Sequence, residues 1–98
     1  MIIRWVHMEF APEQRIAFLD LFEAHREAIA SQPGCQGLEL VQDEDNQYKI
    51  STLSHWKSTE ALNKYRASAL FAQVWPATKA LFTAPPRAQS FKQLWSCS

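Results

Sequence analysis

Two strand-like runs, Cys35 to Gln42 and Gln47 to Trp56, are separated only by Asp43-Glu44-Asp45-Asn46. Four polar residues of the turn-forming type leave room for a hairpin and nothing larger. That pairing constrains the rest of the chain, because each strand leads outward into a helical run and then another strand. Ile2 to Phe10 is rich in β-formers. Ala11-Pro12-Glu13 opens a helix, with Pro12 tolerated in the first turn and Glu13 at the positive end of the helix dipole. This helix runs to about Ser31, where Gln32-Pro33-Gly34 stops it. At 100° per residue, Phe18, Leu21, Phe22, His25, Ala28 and Ile29 share one face, and Asp20, Glu23 and Glu27 share the other.

After the hairpin, Ser58 is placed to cap a short helix through Arg66, with Glu60 in its first turn. Ser68 is placed to cap a second segment through Phe82, in which Leu70, Phe71, Val74, Thr78, Leu81 and Phe82 share a face. Pro76 falls on the opposite, solvent side, where its missing hydrogen bond does least harm. Ala84-Pro85-Pro86-Arg87 ends the helix, and Ala88 to Trp95 reads as the last strand. The order is β-α-β-β-α-β, an α+β class with the split βαβ, ferredoxin-like arrangement, expected as one domain over residues 1–98.

A four-stranded antiparallel sheet with both helices on one face leaves the other face to water, and that face should be polar. It is not. In the first strand Ile3 and Trp5 oppose Ile2, Val6 and Met8; in the last, Phe91 and Trp95 oppose Ala88 and Leu94. A homodimer through stacked sheets is the simplest cover. The chain carries four tryptophans and six phenylalanines in 98 residues. A domain of that size buries only about 60–65% of its unfolded surface. The aromatic surplus therefore points to a subunit interface or a ligand pocket.

Ten basic and ten acidic residues cancel. No basic run offers a footprint for nucleic acid, and no apolar stretch of 18 residues offers a membrane span. The first ten residues lack a basic leader and a small-residue cleavage site, and Cys35 and Cys97 form no disulfide framework; a reduced, cytoplasmic chain is the expectation. The three histidines have no i, i+4 or short-loop spacing, so no metal site is expected.

The run from His55 to Phe71, HWKSTEALNKYRASALF, resembles the segment that marks the antibiotic biosynthesis monooxygenase family. Its features are a strand-ending tryptophan, a Ser-capped S-x-E-A-L and then an aromatic-R-x-S-x-x-F. Gln32 to Leu40, QPGCQGLEL, is similar to the same family's helix-to-strand turn. The resemblance covers nearly the whole chain. It implies a dimeric α+β barrel with a pocket in each subunit between sheet and helices. It also implies an activity among cofactor-free oxygenation of quinols and anthrones, haem degradation, or none known. For the haem-degrading branch, the Asn, Trp and His positions fall on His7, Tyr65 and Trp75. None matches, and an indole cannot ligate iron, so no haem and no other cofactor are expected.

Cofactor-free oxygenation needs a group that takes a proton, donors for the resulting anion, and walls that exclude water. His7, His25, Tyr65 and Arg66 are the candidates for the polar part. Trp5 or Trp56, Phe22, Phe71 and Trp75 are the candidates for the walls. Each also has a plainer reading. His7 is a strand residue that fits an interface; His25, centred on an apolar helix face, needs only a hydrogen-bond partner there. Arg66 fits a surface ion pair, and Trp56 and Trp75 fit a core stripe. The expected ligand is a small aromatic or quinone-like molecule, oxidised by dioxygen. An isomerase or lyase of a small carbonyl compound, or a ligand-binding dimer without catalysis, would use the same pocket.

Overall fold

The computed structural model describes residues 1–97. Seven elements follow one another: β1 (Ile2–Glu9), α1 (Pro12–Ala30), β2 (Cys35–Gln42), β3 (Lys49–Trp56), α2 (Thr59–Arg66), α3 (Ala69–Lys79) and β4 (Arg87–Lys92). The strands form one sheet in the order β2-β3-β1-β4, with every neighbouring pair antiparallel. This is the ferredoxin-like α+β arrangement, with the second helix of the pattern broken into α2 and α3.

Register decides which residues meet the helices. Met8 lies opposite Ile50, Val6 opposite Thr52 and Arg4 opposite Ser54 across β1 and β3, and Val6 also lies opposite Ala88 of β4. Directly paired residues point to the same side of a sheet. Met8 and Ile50 join Phe10 and Phe18 of the buried core, against which Val6, Phe22, Leu40 and Phe82 pack. The Phe10 and Phe18 rings stack at 4.6 Å between centroids. The even-numbered residues of β1 therefore face the helices, and Ile3, Trp5, His7 and Glu9 face away.

Local chemistry sets the element ends. Pro12 occupies the first turn of α1 and Glu13 follows it, while Ala11 supplies no side-chain cap. Gly34 turns the chain from α1 into β2 with φ of 83°, and a Cβ there would lie 2.5 Å from the Ala61 Cβ on α2. Both the left-handed backbone and the close approach require glycine. In the hairpin, Asp43 Oδ1 accepts from the Asp45 N–H at 2.9 Å and Asn46 Oδ1 accepts from the Tyr48 N–H at 3.0 Å. These local bonds hold Gln47 and Tyr48 in the turn, so β3 begins at Lys49, two residues later than its composition suggests.

Other boundaries also differ from expectation. Helix α3 stops at Lys79 because the Leu81 and Phe82 amides bond to the Thr78 and Lys79 carbonyls three residues back. That tightening releases Phe82 to form a bridge with Phe10. Strand β4 ends at Lys92, opposite Ile2. Only Met1 remains beyond it, and Met1 O takes the Gln93 N–H at 3.0 Å. Leu94 and Trp95 thus run past the end of β1 and are exposed. Ala28, at the margin of the apolar stripe of α1, is also exposed.

The sheet face away from the helices carries Ile3, Trp5, Leu53, Val41 and Phe91, with Val41 40% and Phe91 44% exposed. Among the described residues, no helix is long and apolar enough to cross a membrane.

Candidate functional site

The residues between the helices and the sheet do not close up completely. They enclose a cavity of about 170 Å³ bounded by β1 and β3 below and by α1, α2 and α3 above. Its existence follows from the break in the helix layer. Ser58 Oγ caps α2 by accepting from the Ala61 N–H at 3.1 Å. Ser68 then does two things: its Oγ accepts from the Phe71 N–H at 3.2 Å, starting α3, and its O–H donates to the Tyr65 carbonyl at 2.6 Å, closing α2. One serine ends one helix and begins the next. Tyr65 and Arg66 come from the last turn of α2, and Phe71 and Trp75 from the first two turns of α3.

The wall is a continuous aromatic arc. Trp56 stacks on Tyr65 at 5.2 Å, Tyr65 meets Phe71 edge-on at 5.3 Å, and Phe71 stacks on Trp75 at 5.9 Å. Trp56 is fully buried at the end of β3, and its Nε1–H donates to Ser54 Oγ at 2.8 Å. Such ring pairs add about 0.5–1.5 kcal/mol each beyond the area they bury. The arc therefore resists collapse into the empty space. Phe22 closes the cavity from α1.

Six of the residues singled out from sequence share this lining: Phe22, Trp56, Tyr65, Arg66, Phe71 and Trp75. Three do not. Trp5 and His7 are odd-numbered residues of β1, and strand parity places them on the far side of the sheet. There Arg87 lies over the Trp5 ring at 5.3 Å, and His7 has Ser51 Oγ 3.3 Å from Nδ1 and Glu9 3.6 Å from Nε2. His25 sits on α1 outside the lining, and its Nδ1–H donates to the Leu21 carbonyl one turn back at 2.9 Å. The plainer reading of a polar side chain satisfied within its own helix describes it.

One charged lining residue was not singled out. Arg4 projects from the middle of the inward face of β1, between Ile2 and Val6, and donates from Nη1 to Ser90 Oγ at 3.1 Å. Its signal was present: a single charge in the otherwise apolar series Ile2, Val6, Met8. Burial lowers the pKa of its guanidinium, and the positive charge of Arg66 lowers it further. Arginine nonetheless stays protonated in proteins. Among the described residues, neither Arg4 nor Arg66 forms an ion pair; the pairs present are His7–Glu9, Arg26–Glu23 and His55–Glu39.

The polar inventory of the lining is short. Beside the two arginines stand Thr52, Ser54, Tyr65 and Thr78. Thr78 donates to the Val74 carbonyl in its own helix. Burial pushes the Tyr65 phenol up to about 12, with a smaller contribution from Cys35, so it is a neutral hydrogen-bond donor. Among the described residues, no histidine or carboxylate lines the cavity. Among the described residues, no three His, Cys, Asp or Glu side chains are grouped to hold a metal ion.

The class that the fold and cavity define is a ferredoxin-like domain with an aromatic cavity between its sheet and a broken helix layer. The chain belongs to the antibiotic biosynthesis monooxygenase family, whose model matches residues 1–75. No functionally curated protein matches it significantly. Solved structures do. The Mycobacterium tuberculosis protein Rv0793 is 20% identical with a TM-score of 0.89, over 99% of this chain and 98% of that one. A conserved protein from Methanosarcina mazei is 20% identical with a TM-score of 0.88, over 95% and 93%. SnoaB from Streptomyces nogalater, a cofactor-independent oxygenase, is 18% identical with a TM-score of 0.81, over 97% and 95%. At these identities the likeness is one of fold.

Proposed function

We propose that the cavity binds a small phenol- or quinol-type aromatic compound and directs its oxidation by dioxygen without a cofactor. The observation that carries this reading is the aromatic cavity that holds two guanidinium groups and one neutral phenol among its polar groups. The reaction asks little more of the protein. A phenol ionises, its electron-rich ring carbon forms a bond to one oxygen of O₂, and the distal oxygen leaves as water with the C–H proton and with the phenol's own proton returned by solvent. The sum is a phenol with a free ring C–H plus O₂ giving a quinone plus H₂O. The substrate supplies all the electrons.

Among the described residues the lining holds no histidine or carboxylate, so a side-chain base is not part of the reading. Arg4 and Arg66 favour the phenolate over the phenol electrostatically, and the proton leaves through the mouth to solvent. Tyr65 donates to the developing oxyanion. His7, His25 and Trp5 take no part at the reacting atoms. Family membership and the fold shared with a cofactor-independent oxygenase support the choice of chemistry.

The apolar outer sheet face, with Ile3, Trp5, Leu53 and Phe91, supports a homodimer through stacked sheets as part of the same reading. Binding without turnover is the second reading, and the missing base favours it over an isomerase or lyase, which must move a proton within the site. Oxygen-electrode measurements with a panel of quinols and phenols separate the two. Oxygen uptake that depends on protein and yields quinone supports oxidation; saturable binding of the same compounds with no uptake overturns it.

A further inference from the structure

The two arginines ask a question that aromatic oxidation alone does not answer. A phenolate needs one donor cluster, and a neutral quinol needs none. Yet Arg4 is held on the apolar inward face of a central strand, where desolvation works against its charge, and Arg66 reaches the same cavity from the end of α2. Two like charges at one cavity repel, and among the described residues no acid pairs with either. The acidic residues Asp20, Glu23 and Glu27 lie on the outer face of α1, exposed, and three of the remainder sit in the Asp43–Asn46 turn. The chain's net charge of zero therefore hides a locally cationic pocket.

Resting on the phenol-oxidation reading, we propose that the ligand is a single-ring aromatic carboxylate. Its ring lies within the arc of Trp56, Tyr65, Phe71 and Trp75, and its carboxylate lies between Arg4 and Arg66. Three features fit this class. Guanidinium and carboxylate match as planar forks, and Arg4 commits only Nη1 to Ser90, leaving its other donors for a ligand. A carboxylate cancels the charge repulsion that the empty pocket carries. The size also fits. A cavity of about 150 Å³ lined by apolar side chains holds a benzene, so about 170 Å³ takes one ring with a small substituent. A fused three-ring compound exceeds it unless the walls move.

The carboxylate also explains how a site without a base orients its substrate. The anion fixes one end of the ring at the arginines, and the ring position para to it is directed away from them. A hydroxyl carried there lies off the guanidinium donors, but two guanidiniums beside one carboxylate keep a net positive charge that still favours its ionisation, so recognition rests on the carboxylate and ionisation on the remaining charge.

The test is isothermal titration calorimetry of the full chain with 4-hydroxybenzoate and its uncharged isostere 4-hydroxybenzamide. Wild-type protein should bind the carboxylate about 10- to 100-fold more tightly, the range expected from hydrogen bonds to a charged group. Arg4→Met and Arg66→Met should each remove most of that preference while leaving amide binding within about threefold. Arg87→Met, on the far face of the sheet, should leave it intact. Affinity for 4-hydroxybenzoate should stay level from pH 6 to pH 8, where its carboxylate is ionised and arginine side chains stay protonated in proteins. Equal affinity for acid and amide overturns the proposal. So does affinity that rises with pH toward the phenol's own ionisation, since the phenolate would then be what is recognised. Retained preference in both arginine variants, with circular dichroism showing them folded, overturns it as well. The outcome separates from the oxidation reading: selective carboxylate binding without oxygen uptake sinks oxidation alone. Uptake with neutral quinols and no preference for the acid sinks the carboxylate alone.

Discussion

Tyr65 is where stability and chemistry can be pulled apart. Its phenol ordinarily titrates near 10 and is pushed to about 12 by burial among Trp56, Phe71 and the sheet. In the unfolded chain it keeps the ordinary value. Between pH 10 and 12 the unfolded state therefore binds fewer protons than the folded one, and stability falls as pH rises through that window. Each tenfold in proton affinity is worth about 1.4 kcal/mol, so a gap from 10 to about 12 sets a ceiling of about 2.7 kcal/mol. Tyr65 keeps part of its surface in water, and screening reduces the expected loss to about 1–2 kcal/mol.

Tyr65→Phe should erase this alkaline loss. The variant keeps the ring that stacks on Trp56 and meets Phe71, so its stability at pH 8 should lie within about 1 kcal/mol of wild type. Urea unfolding at fixed protein concentration, followed by tryptophan fluorescence at pH 8, 10 and 11.5, measures both quantities. Other alkaline effects, Tyr48 and the lysines included, cancel in the difference between the two proteins. If wild type and Tyr65→Phe lose the same stability between pH 10 and 11.5, the hydroxyl is not desolvated and the cavity wall is misread. If the variant instead loses several kcal/mol at pH 8, the hydroxyl is a structural donor rather than one facing a ligand. With those outcomes fixed, a fall in turnover for Tyr65→Phe reports on the oxyanion alone.

Trp75→Ala should lower stability by about 2 kcal/mol, less than for a fully buried indole because Trp75 is half-buried, and should admit two-ring ligands that wild type rejects; thermal unfolding and a ligand-size series measure the pair. Gly34→Ala combines a backbone φ of 83° with a 2.5 Å approach to Ala61, and should cost about 2 kcal/mol or more in denaturant unfolding. Light scattering at micromolar concentration should give twice the chain mass of 11.3 kDa, and Phe91→Asp should reduce both dimer and stability; a well-folded monomeric wild type would end the stacked-sheet reading.

Much of the fold is legible because local signals agree with one another. The turn at Asp43–Asn46 fixes the central hairpin, and Ser58 and Ser68 mark where α2 and α3 begin, so the helix break that creates the cavity is written in two capping residues. The end of β4 is not written locally. Nothing in Gln93-Leu94-Trp95 stops a strand; the partner β1 simply runs out at Ile2. Nor is the start of β3, because whether Tyr48 extends or turns depends on the Asn46 side chain that takes its amide.

The site was less legible than the fold, and the reason is parity on a sheet with two apolar faces. In β1 both sets, Ile3 with Trp5 and Ile2 with Val6 and Met8, read as core, so β1 alone does not say which set meets the helices. β3 does say so, through Ile50, Thr52, Ser54 and Trp56, but only once its register with β1 is known. Trp5 lies opposite Leu53, and Arg4 opposite Ser54. That one-residue offset sends Trp5 and His7 to the outer face and brings Arg4 into the cavity. Chemical type alone favours His7, since histidine titrates near neutrality, whereas position favours Arg4. A charge set among inward-facing aliphatic residues carries a desolvation cost that the single bond from Arg4 to Ser90 offsets only in part, and the proposed carboxylate would supply the rest.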